Sequence, residues 1–475
     1  MSEHIFAGSR FLGKKFISPK IIESSFVVAS VEAGNTTTKC IITATDMKTG
    51  KTEIVGKCVR LTKDVRKPAE DEEIFGKTIS GTPLTRKSLA DLVKETVTQA
   101  LFENNLKIEE IHFVVRSAGI TADTGAQLEM IILALADGCL NAGFSPRKMT
   151  GYLHLNRIPE NLKPYSYLDK IHFDGAVAGV RPPAGLGKSI ISNEMEGELA
   201  MAGLKEAAKH GEIELKNPGI AIDMGTTLSG RISDSGEPYA KTVGNFCGYA
   251  GAIADALIQK INPGKSIFEL TESEKRNLTP SCSENSKQTK EIEAARLKIM
   301  KQINIMKIQS GRTCFGPFAV NQEAANECGV TLFGCDVGEN GSGMEVLAEI
   351  GKQLYDSGGM DAVIGAADEV MSDMTVSLIK CIQEAGYLND ETVIGITGRA
   401  GITGKKQELT LQKLKREKII ENPEKQIIFA EDGLARGAAV MARCMNSLGC
   451  PNNPLGGRHG EKCIMAKRIK FQRGL

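Results

Sequence analysis

The sequence predicts an α/β fold of two domains built on a similar plan. Three observations carry this. Strand-like and helical segments alternate along most of the chain. One local pattern, an apolar strand, a small-residue turn and a second strand, occurs twice. And 475 residues exceed what one small core accommodates.

The clearer copy of the pattern is Gly219-Ile-Ala-Ile-Asp-Met-Gly-Thr-Thr-Leu-Ser-Gly230, continuing into Arg231 and Ile232. The other is Val27-Val-Ala-Ser-Val-Glu-Ala-Gly-Asn-Thr-Thr-Thr-Lys39, followed by Cys40 to Thr45. Each turn reads acid-x-Gly-(x)-Thr-Thr. Glycine lets the backbone approach a phosphate closely, and exposed N–H and hydroxyl groups donate to its oxygens. Gly34, Asn35, Thr36, Thr37 and Lys39 in one turn, with Gly225, Thr226 and Thr227 in the other, are therefore candidate phosphate contacts. Two such loops in two similar domains predict a nucleotide cleft between them.

Composition excludes several classes. Apolar residues are 41% and charged residues 25%, ordinary for a soluble globular chain. A net charge of +1 gives no broad attraction to nucleic acid or to a membrane. Aromatic residues are 5% and Trp is absent, which disfavours a stacking platform for single strands. No apolar run approaches the roughly 20 residues that span a bilayer, and the basic stretch Lys14 to Pro19 lacks a signal-peptide core. Twelve cysteines without such a signal predict a reducing, cytoplasmic compartment. No C-x-x-C occurs, so a zinc ribbon is disfavoured. Cys40, Cys58, Cys139 and Cys381 sit in apolar periodic segments and read as buried thiols.

In order, residues 1–25 read as an N-terminal arm. The first domain, 26–217, opens with strands over Phe26–Val31, Lys39–Thr45 and Thr52–Val59. Helix Thr85–Glu103, strand Ile111–Val115 and helix Thr124–Ala142 follow. Residues 150–187, rich in Pro, Gly and Tyr, read as an insertion. Within it Pro182 to Ser189 imitates a Walker loop, but Pro182 stands where the first Gly belongs and has no N–H to give. Helix Ile190–Ala208 carries Glu194, Glu196 and Glu198. The second domain, 218–432, has a helix over Gly248–Ile261 and a charged insertion over 262–310, with a helix Thr289–Met306. A strand Val330–Phe333, helices Met344–Tyr355 and Ala362–Gly386, and strands from Val393 and over Lys425–Phe429 complete it. Residues 433–475 form a small-residue helix and a tail whose Cys444, Cys450, Cys463 and His459 read as solvated tail residues or, at irregular spacing, as a second metal site.

These loops, the Gly turn at Gly398 and Gly401, and the terminal Gly/Ala-rich helix resemble the acetate and sugar kinase, Hsp70 and actin superfamily, from about Phe26 to Arg443. The resemblance implies two ribonuclease H-like domains of the actin-like ATPase type, ATP and Mg2+ as ligands, and two small-residue helices crossing at a hinge. It puts the loops on the phosphates and Gly398, Arg399 and Gly401 against the adenosine. Arg399 departs from the usual second glycine, and Glu32 from the usual Asp. Gly244 to Gly251 and Gly311 to Ala319 are similar to the ATP-dependent activators of 2-hydroxyacyl-CoA dehydratases. That similarity implies a homodimer sharing one four-iron four-sulfur cluster, with Cys247 and Cys314 as ligands. The chain as a whole resembles the methanogenesis marker protein 14 family.

Asp223 reads as a ligand to magnesium-bound water, since a hard cation on phosphates prefers carboxylate oxygen. Glu32 reads equally as a second such group or a structural acid. Glu194 reads as the residue that orients the attacking water or as part of a solvated helix face, and Lys39 as a phosphate contact or a solvent-facing amine. Three functions fit. One is an ATPase that reductively activates a low-potential cofactor in a partner, a corrinoid protein or methyl-coenzyme M reductase. The others are a small-molecule kinase, and a nucleotide-dependent scaffold that binds partners through 262–310.

Overall fold

The computed structural model describes residues 22, 24–78, 81–119, 125–165, 170–174, 176–178, 194–235, 241–270, 285–316 and 318–446. Residues 1–21 and 23 of the N-terminal arm, the Walker-like stretch, and Cys450, His459 and Cys463 of the tail lie outside the described residues.

The first sheet is built from β1 (Ser25–Gly34), β2 (Thr37–Asp46), β3 (Thr52–Leu61), β4 (Phe113–Gly119) and β5 (Ala176–Ala178), in the order β3-β2-β1-β4-β5. The first three form an antiparallel meander, and β4 and β5 add in parallel. The second sheet contains β6 (Gly219–Met224), β7 (Leu228–Ser233), β8 (Thr242–Gly248), β9 (Ile303–Lys307), β10 (Thr331–Val337), β11 (Val393–Thr397) and β12 (Ile427–Phe429). Its order is β9-β10-β8-β7-β6-β11-β12. Removing β9 and β10 from its edge leaves β8-β7-β6-β11-β12, the order and strand directions of the first sheet repeated. The chain is thus two ribonuclease H-like domains of the actin-like ATPase type, as the sequence resemblance implies.

Helices α1 (Arg86–Glu103) and α2 (Gly125–Asn141) cover one face of the first sheet and close a core around Val27, Ile42, Leu89, Val93, Val114 and Leu135. Thr85 caps α1 through a reciprocal bond with Ser88. The second core gathers on the short α4 (Gly251–Ala256), α5 (Asn285–Met300) and α6 (Met344–Glu384). Two helices change partners. The first, α3 (Glu194–Ala208), precedes the second domain and packs through Ala200, Met201, Leu204 and Ala207 against Ala221 and Ile428 of the second sheet. The other, α9 (Gly433–Asn446), leaves the second domain and packs Ala438, Ala439 and Ala442 on Phe26, Val28 and Val115 of the first. They cross at glycines: a Cβ on Gly203 would lie 1.8 Å from the Gly433 carbonyl oxygen, and one on Gly437 2.0 Å from that of Leu199. The crossing is the one that the sequence resemblance implies for a hinge.

Some boundaries differ. The expected insertion at 150–187 contributes β5 to the sheet. Residues 303–306, read as the end of a helix, form part of edge strand β9, paired antiparallel with β10. The helix expected over Gly248–Ile261 is α-helical only at Gly251–Ala256. The two helices expected within 344–386 are present and meet at a kink, Gly359 (φ 68°). Among the described residues, no helix is long and apolar enough to cross a membrane.

Candidate functional site

Both loops occupy the same place in their domains. Glu32, near the end of β1, pairs with Lys39 on β2 and Ser117 on β4. Asp223, near the end of β6, pairs with Ser229 on β7 and Thr397 on β11. Each carboxylate therefore leaves the sheet where the central strand turns back, the point at which α/β folds bind ligands. In the first loop the Thr62 hydroxyl donates to the Gly34 carbonyl at 2.8 Å, and Asn35 Nδ2 donates to the Gly119 carbonyl at 3.0 Å. In the second, the N–H of Gly251 donates to the Gly225 carbonyl at 2.8 Å and that of Ala252 to Thr226 at 3.0 Å.

The loops meet across a cavity of about 240 Å3 between the domains. Glu32, Gly34, Asn35, Thr36, Thr37 and Lys39 line it from the first domain. Asp223, Gly225, Thr226, Thr227, Gly398 and Arg399 line it from the second. The Thr226 hydroxyl donates to that of Thr36 at 3.0 Å, closing one end. That volume is below the roughly 300 Å3 at which small-molecule sites usually begin, in keeping with touching loops.

One expected residue stands elsewhere, and the side chain of another is not described. Gly401 lies buried in the short α7 (Arg399–Ile402), where a Cβ would meet Ile396 and Met224, so it supports the turn from behind. Glu194 starts α3, and its side chain lies outside the described residues. Glu196, two residues on, reaches the cavity. It is 8% exposed, and a Cβ on Gly119 would sit 3.4 Å from Glu32 Oε1 and 3.7 Å from Glu196 Oε1, so that glycine lies between the two carboxylates.

The electrostatics follow from burying several acids around one ammonium. Lys39 Nζ lies 3.0 Å from Glu32 Oε2. Burial is the largest single effect and works against its charge, but the charge and hydrogen bond of Glu32 together with the charge of Asp432 raise the Lys39 pKa overall. Glu196 is pushed up to about 8, first by burial, then by the charges of Glu32 and Asp223. Asp223 is pushed up to about 7, again chiefly by burial, with Lys39 and the Ser229 bond pulling the other way. Asp255 on α4 rises to about 6 by burial, opposed by bonds from Ile267 N–H and the Ser266 hydroxyl. Strongly raised acids gathered in a cleft mark a functional site.

This surplus of carboxylate suits a divalent cation. Among the described residues no three His, Cys, Asp or Glu converge as a direct ligand set. Mg2+ rarely uses one: it takes one or two carboxylates and fills its octahedron with water and phosphate oxygen. Asp223 and Glu32 fit that role, and a bound Mg2+ would neutralise phosphate charge there. The rest of the cleft suits a nucleoside. Phe268, Ala400 and Ile402 offer an apolar wall beside Gly398, and Lys57 and Asp432, paired at 2.9 Å, close the hinge side.

The cysteine pair does not fit a shared cluster. Cys247 lies in β8, 1% exposed, within an apolar group of Ile308, Phe315, Val320 and Leu332. Cys314 opens a two-residue strand and is exposed. A cluster bridging two subunits needs both thiolates at one surface, and here only Cys314 reaches it.

Sequence reading could not isolate Glu196, because three acids alternate along the start of α3. The deciding contact is tertiary: Gly197 lies against Gly230, where a Cβ would come within 2.6 Å of the carbonyl oxygen, and this fixes the helix phase.

Among solved structures, component A of the (R)-2-hydroxyglutaryl-CoA dehydratase of Acidaminococcus fermentans is similar at 11% identity and a TM-score of 0.33, over 87% of this chain and 95% of that one. A reductive activator for a corrinoid, iron-sulfur protein is similar at 9% and 0.37, over 94% and 63%. A hexokinase gives 11% and 0.34, over 88% and 85%. At such scores these likenesses decide nothing about function; the repeated strand order identifies the fold. An uncharacterized protein of Methanocaldococcus jannaschii is 46% identical over 450 residues, 94% of this chain and 91% of that protein. One of Methanothermobacter thermautotrophicus is 44% identical over 451 residues, 94% and 83%. A family model matches residues 25–472, and the chain belongs to that family, described as an uncharacterized protein conserved in archaea (DUF2114).

Proposed function

We propose that this protein binds ATP with Mg2+ between its domains, hydrolyses it, and uses the resulting opening and closing to act on a partner protein. The observation that carries this is the convergence of two equivalent loops, each with a carboxylate and threonine hydroxyls, on one interdomain cavity. In this reading Asp223 and Glu32 hold the hydrated cation, and the loop N–H and hydroxyl groups hold phosphate oxygens. Glu196 accepts a proton from the attacking water, a role suited to a carboxyl poised near neutral pH. Catalysis then rests on positioning and charge stabilisation.

The partner in this reading holds a low-potential cofactor of methanogenesis, in a corrinoid protein or methyl-coenzyme M reductase. Support for that is the sequence resemblance to methanogenesis marker protein 14. Since Cys247 and Cys314 do not fit a shared iron–sulfur cluster, no electron is routed through them here.

A small-molecule kinase is the second reading, favoured by one feature. A further cavity of about 200 Å3 shares Asn35, Thr36 and Asp255 with the phosphate cleft and continues past the loops. An acceptor there would lie beside Asp255, a candidate base.

The deciding experiment is ATP binding and turnover by wild type and Asp223→Ala. Loss of Mg2+-dependent binding and turnover in the variant is expected; unchanged values would end the phosphate-loop reading. Turnover that appears only with an added sugar or carboxylate would select the kinase.

A further inference from the structure

Three consecutive residues at the end of β11 touch three separate parts of the molecule. The Thr397 hydroxyl accepts a bond at 3.0 Å from the N–H of Gly433, the first residue of hinge helix α9. Gly398, at φ +84°, presses on the second loop so closely that a Cβ would come within 2.5 Å of Asp223 Oδ1. Arg399 crosses the cleft: its Nη2 donates to Thr37 Oγ1 of the first phosphate loop at 3.1 Å, and its Nη1 pairs with Glu269 of its own domain.

We propose, building on the ATP reading, that Arg399 is a specificity residue of the cleft: it reads the terminal phosphate of a nucleoside triphosphate and ties that reading to domain closure. A guanidinium presents a planar fork of donors that matches phosphate oxygens two at a time. Its hydrogen-bond partner in the other domain is a neutral hydroxyl, which an anionic phosphate oxygen outcompetes, while the Glu32 carboxylate acts on it through charge. Position adds to chemistry. Phe268 and Ile402 line the cleft with the loops, and Thr37 adjoins the contact of Thr36 and Thr226. On this proposal a nucleotide with its base on Phe268 and Ile402 would present its terminal phosphate to Arg399 at the loops, and a diphosphate would lack that group. The cleft is otherwise rich in carboxylates, so each added phosphate charge makes a fixed cation more valuable. The bond from Thr397 to Gly433 then joins Arg399, two residues away, to the hinge helix.

The effect is legible in paired affinities. Mg-ATP and Mg-ADP binding are measured by calorimetry on the full chain, with interdomain distance read by fluorescence transfer between labelled domains. Arg399→Gln is expected to weaken Mg-ATP roughly 10- to 100-fold, the range for a charged hydrogen bond, while Mg-ADP changes less than about threefold. Closure at saturating Mg-ATP should shrink, and Arg399→Lys should recover part of both. Glu269→Gln keeps Arg399 but removes its competing carboxylate, so Mg-ATP should tighten a few-fold relative to Mg-ADP. This second variant keeps the test alive if Arg399→Gln fails to fold. Equal loss of both nucleotides, no change in either, or weaker Mg-ATP in Glu269→Gln overturns the proposal and leaves the ATP site standing. Wild-type protein that binds neither nucleotide overturns both.

Discussion

The hydroxyl of Thr226 donates to the hydroxyl of Thr36 at 3.0 Å, joining the two phosphate loops directly. A bond between neutral hydroxyls contributes about 0.5–1.5 kcal/mol net. If it helps hold the domains together, replacing Thr36 by Val, which keeps the branched shape, should shift the open-to-closed balance of nucleotide-free protein roughly 2- to 12-fold toward open. Small-angle scattering or interdomain fluorescence transfer reads this, and unaltered dimensions would show that other contacts, such as Lys57 with Asp432, hold the cleft shut.

Stability without nucleotide should fall as pH rises. Asp223 and Glu196 have folded-state pKa values raised to about 7 and about 8. A carboxyl with a raised folded pKa favours the folded state fully below its unfolded pKa, near 4, and loses that contribution as pH rises through the folded value. The window therefore runs from about pH 4 to about pH 8. Both carboxyls lose their contribution across it. Thermal midpoints should drop between pH 5 and 8.5 in wild type, and Mg2+ with ATP should offset the drop. The Asp223→Asn/Glu196→Gln double variant should show a flatter profile. Parallel wild-type and double-variant profiles would refute this assignment.

Glu196→Gln should lower the ATP turnover rate by about 10²–10⁴-fold, the usual worth of a positioned acid or base. It should leave Mg-ATP affinity within about threefold, because the substitution changes a proton acceptor and little volume. The rate-against-pH curve of the variant should lose the limb that titrates with Glu196. Glu194→Gln is the comparison, and a larger effect there would move the role two residues back along α3.

The doubled architecture was legible because both loops follow strands whose apolar runs are long and whose turns share acid, Gly and Thr at nearly equal spacing. Among the described side chains, every nucleotide-cleft residue read from the sequence except Gly401 lines the cavity. Gly401 failed because a small residue in a Gly-rich turn serves equally to approach a ligand or to let a helix lie on Met224. Asp255, Phe268, Lys57 and Asp432 carried no local signal: they reach the cleft from distant elements brought in by the hinge. The exchange of α3 and α9 between sheets was implied only by the superfamily resemblance, since both helices are rich in small residues that suit either face. Cys247 shows the limit of matching a motif: its flanking glycines resemble a ligand loop, but β8 is buried on both faces from Gly244 to Gly248, which encloses the thiol.

Gly437→Ala should disrupt the hinge. The new methyl would lie 2.0 Å from the Leu199 carbonyl oxygen, and backbone on a packed helix yields little. Overpacking of this kind typically costs about 1–3 kcal/mol, so a lowered thermal midpoint and weakened nucleotide binding are expected together. Ala438→Gly one position along is the control, costing about 1 kcal/mol of helix propensity without a clash. A Gly437→Ala variant with wild-type midpoint and binding would show that the crossing is looser than these contacts require.

Cys314 and Cys247 should differ sharply in reactivity. Cys314 is exposed at a strand end, whereas Cys247 is 1% exposed among apolar side chains. A thiol must meet the reagent as thiolate, and burial opposes both contact and ionisation. Alkylation of native, anaerobically purified protein, mapped by peptide mass spectrometry, should modify Cys314 at once and spare Cys247 until the chain is unfolded. Iron should be well below one atom per subunit, and Cys314→Ser should not change it. Joint protection of both cysteines, released together by an iron chelator with loss of brown colour, would instead mean that the pair moves to a common surface and holds a cluster between subunits.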